Sequence, residues 1–84
     1  MAVHDVVVPK MGMSSTDVDI LNWLVTVGAE VAPGTPLVEV ESEKAIVTIE
    51  SEVAGIIAEI LAAEGSVADV GAVICRVDLL GGAL

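Results

Sequence analysis

Lys44 is the residue in this sequence with the clearest prospect of covalent chemistry, through modification of its side-chain amine. It is one of only two lysines, and it stands between Glu43 and Ala45. Other residue types that often carry out reactions are isolated: His4 and Cys75 are the single histidine and cysteine. Because Cys75 stands in a mostly apolar stretch, far along the chain from His4, we expect a buried, reduced thiol.

No Ser-His-Asp set, group of metal ligands or phosphate-binding loop is recognisable in the sequence. The sequence therefore predicts no catalytic residues, no metal site and no enzyme activity of its own. Thirteen Asp and Glu residues outnumber three Lys and Arg residues, for a net charge of −10. This charge argues against nucleic acid and anionic membranes as partners. It suits a basic protein surface, or carboxylates that simply solvate an apolar domain.

Nothing in the sequence indicates a membrane protein or a secreted one. The longest apolar runs, such as residues 53–58, are far shorter than the roughly 20 residues of a membrane-spanning helix. The first residues lack the basic and apolar regions of a signal peptide, and an unpaired cysteine is typical of a reducing compartment. We therefore expect a cytoplasmic protein.

Short β-branched stretches separated by Gly and Pro dominate the chain. They predict strands at 3–9, 17–25, around 31, 37–41, 45–50, 55–61, around 67 and 73–77. Eighty-four residues are enough for one domain. The pattern therefore indicates a single all-β sandwich or barrel.

The two halves of the chain repeat with a shift of 37 residues. The shift matches Ile20 with Ile57, Leu24 with Leu61, Gly28 with Gly65, Gly34 with Gly71, Leu37 with Ile74 and Val40 with Val77. We expect a pseudo-two-fold domain whose halves cover each other, with equivalent loops at opposite ends. Val67 comes one position earlier than the counterpart of Val31, which predicts a local bulge or shift.

Lys44 lies in the midpoint connection between the repeats, at the predicted tip of a β-hairpin. Alternation of apolar residues predicts the register of that hairpin. The expected pairs are Ser42 with Ala45, Val40 with Val47 and Val38 with Ile49 on one face, and Glu39 with Thr48 and Glu41 with Ile46 on the other. Lys44 would then project into solvent. A solvated lysine that balances nearby acid is the alternative interpretation.

The segment Glu41-Ser42-Glu43-Lys44-Ala45 resembles the attachment motif Glu-Thr-Asp-Lys-Ala of a known family. That family is the lipoyl (biotinyl/lipoyl-attachment) domain of the dihydrolipoamide acyltransferase (E2) component of 2-oxo acid dehydrogenase complexes. Further matches are Val8-Pro9-Lys10-Met11-Gly12, Trp23, the series from Gly28 through Val31, Gly34 and Leu37 to Val40, Ala54-Gly55, and Gly71 with Ile74. The resemblance covers residues 3–78.

The resemblance implies a flattened barrel of two four-stranded antiparallel sheets with pseudo-two-fold symmetry. It implies that Lys44 carries lipoate in amide linkage, attached by a lipoate ligase or lipoyl transferase. The lipoyl group would accept an acyl group and reducing equivalents from a thiamine-diphosphate-dependent decarboxylase (E1). The acyltransferase core (E2) would pass the acyl group to coenzyme A, and dihydrolipoamide dehydrogenase (E3) would reoxidise the dithiol.

The same resemblance assigns recognition roles around the lysine. The recognition motif would be Glu41, Ser42, Glu43 and Ala45, and the partner-recognition loop would be Met11, Gly12, Met13, Ser14 and Ser15. Residues 1–78 would form the carrier domain, and residues 79–84 the domain edge or the start of a linker. The sequence leaves open the 2-oxo acid (or acetoin) substrate, the oligomeric state, and whether the carrier is free-standing or part of a longer E2.

Three alternatives to the lipoyl domain of an E2 component remain. A biotinyl carrier domain of a biotin-dependent carboxylase resembles the same fold, but its lysine lies between two methionines. The carrier protein of glycine cleavage is longer and has additional helices. A structural β-sandwich module would leave Lys44 unmodified.

Glu43 departs from the attachment motif of the lipoyl family, because the family more often has Asp at this position. Its longer side chain is expected to weaken recognition by the ligase.

Overall fold

The computed structural model describes residues 2–9, 17–42 and 45–79, and every regular element in these ranges is a strand. The strands are β1 (Val3–Val7), β2 (Asp17–Trp23), β3 (Glu30–Val31), β4 (Pro36–Ser42), β5 (Ala45–Glu50), β6 (Gly55–Ile60), β7 (Val67–Asp69) and β8 (Val73–Leu79). The eight predicted strands are all present. Within the described ranges, no helix of the length and apolarity needed to span a membrane was found.

The strands form two four-stranded antiparallel sheets. One sheet has the order β1-β8-β6-β3 and the other the order β5-β4-β2-β7. The second order is the first with each strand replaced by its counterpart in the other half of the repeat. The predicted sandwich of two four-stranded sheets with pseudo-two-fold symmetry is therefore confirmed.

Hydrogen bonds from the residues that follow β2 and β6 repeat with the same 37-residue shift. Leu24 N–H donates to the Leu37 carbonyl at 2.8 Å, and Leu61 N–H donates to the Ile74 carbonyl at 2.8 Å. The repeated glycines share a left-handed backbone, with φ of 94° and 84° at Gly28 and Gly65 and 92° and 90° at Gly34 and Gly71. Glycine adopts this conformation without the steric cost of a Cβ atom. The matched glycines are thus the points where both halves turn alike.

The prediction of a bulge at Val67 is wrong. Ala68, not Val67, occupies the position of Val31: Ala68 and Val31 are 7% and 3% exposed, whereas Val67 is 60% exposed. β7 also pairs with β2 without a break in register. The spacing of the repeat, not the match of valine with valine, determines the correspondence here, because a slip of one residue would turn the side chains of β7 to the opposite faces.

The two ends of the described chain meet at the pole opposite the β4–β5 connection. Leu79 N–H donates to the Ala2 carbonyl at 2.9 Å. In the repeat, Leu79 is the counterpart of Ser42, and the two-fold relation places Ala2 at the position of Ala45. β8 runs to Leu79, one residue past the predicted end of the domain, because Leu79 still pairs with Gly55.

The core lies between the inner faces of the sheets. Its buried side chains are Val6, Val8, Val18, Ile20, Val31, Leu37, Val38, Val40, Ile49, Ile57, Ala68, Ile74, Cys75 and Val77. Trp23 packs against this core at half burial and joins the two halves. Its indole N–H donates to the Ala62 carbonyl at 2.6 Å, and its backbone N–H donates to a Glu64 carboxylate oxygen at 2.9 Å.

Replacing Trp23 with phenylalanine is expected to lower the free energy of unfolding by about 1–2 kcal/mol, because the Ala62 carbonyl loses its donor in a half-buried place. Urea unfolding followed by circular dichroism measures this loss, since the variant has no aromatic fluorescence comparable to tryptophan. Val27→Ala, at a 60% exposed position, is the control and should change little. Equal midpoints for W23F and the wild type would contradict the role given to the indole bond.

Candidate functional site

The predicted attachment residue lies between two paired strand ends. Ser42, the last residue of β4, pairs with Ala45, the first of β5. The connection between them is the dipeptide Glu43-Lys44, which lies outside the described residues. Residues 10–16, which include the predicted partner-recognition loop Met11, Gly12, Met13, Ser14 and Ser15, also lie outside them.

The register of this hairpin agrees with the predicted one at every pair. Ser42 pairs with Ala45, Glu41 with Ile46, Val40 with Val47, Glu39 with Thr48 and Val38 with Ile49. The buried side chains Val38, Val40 and Ile49 fix the hairpin to the core. A slip of one residue would expose them, so packing holds the root of the connection in place.

The predicted recognition motif divides into exposed and buried residues. Glu41 and Ala45 are exposed, and they border the connection on either side. Ser42 is only 7% exposed, and its hydroxyl donates to the Ala45 carbonyl at 3.4 Å. We infer that Ser42 closes the base of the hairpin, whereas Glu41 and Ala45 are open to a partner.

Carboxylates gather on the outer face of the same sheet. Glu41 pairs with Asp19 across β4 and β2, and Asp17 pairs with Asp69 across β2 and β7. None of these four takes part in a salt bridge among the described residues. The sequence suggests acid around Lys44 only from its neighbours, because Asp17, Asp19 and Asp69 reach this face through pairing between distant strands.

The other sheet balances its charge differently. Arg76 on β8 forms salt bridges with Asp5 at 3.2 Å and with Glu59 at 3.3 Å, on the two flanking strands. The equivalent row of the sheet that contains the hairpin consists of Thr48, Glu39 and Asn22, and it has no cation. The pseudo-symmetry of the backbone therefore does not extend to charge. The face next to the hairpin connection is the more negative one in the described part of the chain.

Two exposed aliphatic side chains flank this acidic row. Ile46 pairs with Glu41 and is 62% exposed, and Val67 pairs with Asp19 and is 60% exposed. Single exposed apolar residues are common on protein surfaces. Here, however, they lie in one row with Glu41 and Asp19, beside the connection that holds Lys44. A partner that approaches this row would meet negative charge at the centre and apolar contacts at both ends.

Cys75 and His4 do not form a reactive pair, although they lie on neighbouring strands despite their separation in sequence. β1 pairs with β8, so His4 lies opposite Val77 and Cys75 lies opposite Val6. The physical reason is burial: Cys75 is fully buried, and desolvation raises the pKa of its thiol to about 11. In the described ranges, no group of three or more His, Cys, Asp and Glu residues is arranged to hold a metal.

The buried thiol predicts a simple pH dependence. The thiolate is the form that attacks thiol reagents, so Cys75 should react slowly in the folded protein at pH 8 and rapidly in urea. Because the folded-state pKa of about 11 lies above the usual 9.0, the stability linked to this group is complete below pH 9 and is lost as the pH rises toward 11. A colorimetric thiol assay with and without urea tests the predicted difference in reactivity. Equal rates in both would show that Cys75 is accessible.

Comparisons with known proteins agree on one family. The model of the Biotin_lipoyl family, described as biotin-requiring enzyme, matches residues 4–77. The chain is 47% identical over 76 residues to the dihydrolipoyllysine-residue acetyltransferase component of the pyruvate dehydrogenase complex of Corynebacterium glutamicum, covering 90% of this chain and 11% of the relative. It is 41% identical over 73 residues to the dihydrolipoyllysine-residue succinyltransferase component of the 2-oxoglutarate dehydrogenase complex of Staphylococcus saprophyticus, covering 87% of this chain and 17% of the relative.

A solved structure supports the same relationship. The lipoyl domain of the 2-oxoglutarate dehydrogenase complex from Azotobacter vinelandii superposes with a TM-score of 0.73 at 26% identity. The match covers 88% of this chain and 94% of that domain. The chain therefore corresponds to nearly all of a solved lipoyl domain, but to only a small part of the curated acyltransferases, 11% and 17% of the two above.

Proposed function

We propose that this chain, which belongs to the Biotin_lipoyl family, is a lipoyl carrier domain and that Lys44 is its attachment residue. The observation that carries this proposal is the pairing of Ser42 with Ala45. It leaves Glu43 and Lys44 as the two-residue connection of a hairpin whose register is fixed by buried side chains. A group attached to this lysine has a rigid root on the protein and an unbranched stem beyond it.

The surroundings of the connection fit an attached arm. Glu41, Ala45 and Ile46 are all exposed, so the described residues do not cover the root. Amide formation would remove the charge of Lys44, so that no ion pair with Glu41 or Glu43 would hold the arm against the surface. A lipoyl group supplies a dithiolane that can take up an acyl group and two electrons. The chain itself would contribute presentation rather than catalysis.

Lipoate is favoured over biotin as the attached group. The family includes both biotin and lipoate attachment domains. The two relatives described above are acyltransferase components of dehydrogenase complexes, and their names refer to dihydrolipoyllysine. The flanking residues Glu43 and Ala45 agree with that choice, because the biotinyl family has methionine on both sides of its lysine. Biotin attachment is the second candidate.

We propose partners on the basis of the likeness to acyltransferase components of dehydrogenase complexes. A thiamine-diphosphate-dependent decarboxylase (E1) would load the arm, an acyltransferase core (E2) would unload it, and dihydrolipoamide dehydrogenase (E3) would reoxidise it. A lipoate ligase or lipoyl transferase would attach the group, with Glu41, Glu43 and Ala45 as its recognition residues. We place the carrier domain at residues 1–79, with its end moved from residue 78 to the last residue of β8. We place it in the cytoplasm, within a 2-oxo acid or acetoin dehydrogenase complex. The loop Met11–Ser15 is proposed as a further contact for the decarboxylase.

Intact-mass measurement tests this function directly. The chain is incubated with lipoate, ATP and a lipoate ligase, and in parallel with biotin, ATP and a biotin ligase. We expect one lipoyl increment per chain, which tandem mass spectrometry of the peptide places on Lys44. A biotin increment alone would select the second candidate, and no increment with either ligase would overturn the carrier proposal.

A further inference from the structure

An open groove of about 430 Å3 runs along one side of the sandwich. One wall consists of His4, Asp5, Val6, Val7 and Pro9, and the other of Val47, Thr48, Ile49, Glu50, Ser51 and Glu52. These residues belong to, or directly follow, β1 and β5, which are the end strands of their sheets on this side. The groove therefore lies between two sheet edges. The two walls are counterparts in the pseudo-two-fold symmetry.

The groove follows the edge of each strand, not one of its faces. Six consecutive residues, Val47 to Glu52, border it on one side, and four consecutive residues, His4 to Val7, on the other. Neighbouring side chains of a strand point to opposite faces, so a cavity lined by an unbroken run must lie along the backbone edge. In an edge strand, alternate N–H and C=O groups point away from the sheet. The groove thus offers a strand-shaped ligand backbone donors and acceptors.

The side chains give the groove an apolar floor and an acidic rim. Val6 and Ile49 are 7% and 6% exposed and reach it from the core. Glu50 and Glu52 are exposed on the rim and take no part in the salt bridges of the described residues. Asp5 also lines the groove but is paired with Arg76 at 3.2 Å. Among these lining residues, only His4 can carry a positive charge.

We propose that this groove binds an extended basic segment of a partner protein, which adds as a strand along β5. Backbone hydrogen bonds to the edge of β5 would supply affinity, and the alternation of apolar and basic side chains along the segment would supply specificity. Apolar side chains of the segment would face Val6 and Ile49, and its Lys or Arg side chains would lie beside Glu50 and Glu52. β5 spans six residues, about 20 Å, so a hexapeptide matches it in length.

Charge favours this occupant over a second copy of the chain. Edge strands can pair with each other, but two copies joined along β5 would place two acidic faces, each with an exposed Glu50 and Glu52, side by side. Each copy carries a net charge of −10, and like charges on paired strands are destabilising. A basic segment reverses the sign of that interaction. The proposal is independent of Lys44, and it adds a docking site along the side of the domain to the carrier role.

Titration of the isotope-labelled chain with synthetic peptides tests the proposal. The probe is the capped hexapeptide Lys-Val-Lys-Val-Lys-Val, followed by amide chemical shifts at low salt and again at about 0.5 M salt. We expect shift changes confined to β1, β5 and residues 51–52, and weaker binding at high salt. The same peptide with its backbone N–H groups blocked by N-methylation on alternate residues should not bind, because strand addition needs those donors.

Matched variants separate the groove from general attraction to an acidic protein. Glu50→Lys combined with Glu52→Lys should weaken binding about tenfold at low salt. Glu30→Lys combined with Asp69→Lys changes the net charge by the same amount, on β3 and β7 at the other ends of the two sheets, and should leave binding within about twofold. Undiminished binding of the N-methylated peptide, shifts centred on β3 and β7, or self-association of the free chain in sedimentation experiments would each overturn the proposal. None of these results depends on whether Lys44 is lipoylated.

Discussion

Replacing Lys44 with arginine is expected to abolish the lipoyl mass increment completely. Arginine retains the positive charge and much of the length of lysine but has no primary amine that can form the amide. The fold should be unaffected, because the hairpin is held by Val38, Val40 and Ile49 in the core, not by its connection. We expect a change in the free energy of unfolding below about 0.5 kcal/mol. Intact mass after ligase treatment and urea unfolding of the same sample measure both quantities.

Lys10→Arg is the matched control for K44R, because Lys10 is the other of the two lysines in the sequence. It should accept a full lipoyl increment. A lipoylated K44R chain, or loss of the increment in K10R alone, would contradict the assignment and transfer the attachment site to Lys10. Loss in both variants together with normal folding would indicate that the ligase needs both lysines, which the proposed function does not predict.

Replacing Gly55 with alanine is expected to cause the largest loss of stability of any single substitution considered for this chain. A Cβ atom at Gly55 would overlap the carbonyl oxygen of Asp78 and come within 2.7 Å of Cγ1 of Val77. Both belong to β8, a central strand of its sheet, so the backbone of β6 or β8 must move. Overpacking of this kind costs on the order of 3 kcal/mol. Chemical unfolding, with circular dichroism as the signal, measures the loss.

Gly28→Ala is a comparison that separates space from backbone conformation. Gly28 has a φ of 94°, but a Cβ atom there would meet nothing within 4 Å. Its cost comes only from the left-handed conformation, about 1–2 kcal/mol. G55A should therefore lose clearly more stability than G28A. The opposite order would show that β6 and β8 separate easily, and that the close approach at Gly55 is not a constraint on the fold.

The hairpin and the repeat were predictable because each is encoded by local alternation or by like residues at a fixed spacing. The apolar pattern of residues 38–49 determines which side chains face the core, and that alone fixes the register. The repeated glycines mark the same turns in both halves, and their left-handed φ values explain why glycine recurs there.

Features that depend on pairing between distant strands were not predictable in the same way. Matching Val67 with Val31 predicts a bulge or shift, but its neighbour Ala68 has the inward phase of β7 and is buried instead. The row that joins Glu41 to Asp19 exists only because β4 pairs with β2. Likewise, His4 and Cys75 are far apart in sequence but lie on neighbouring strands, because β1 pairs with β8. Distance along a sequence says little about distance across an antiparallel sheet.

The hydrogen bond from Leu79 to Ala2 also has a consequence for how the domain could be held within a larger protein. It occupies, at one pole, the position that the Ser42–Ala45 pair occupies at the other. Any polypeptide that continued from either end would leave from the pole opposite Lys44. β4 alone, with seven residues, spans about 23 Å. The body of the domain would then act as a rigid spacer that sets the attached arm apart from its tether and adds its own length to the arm's reach.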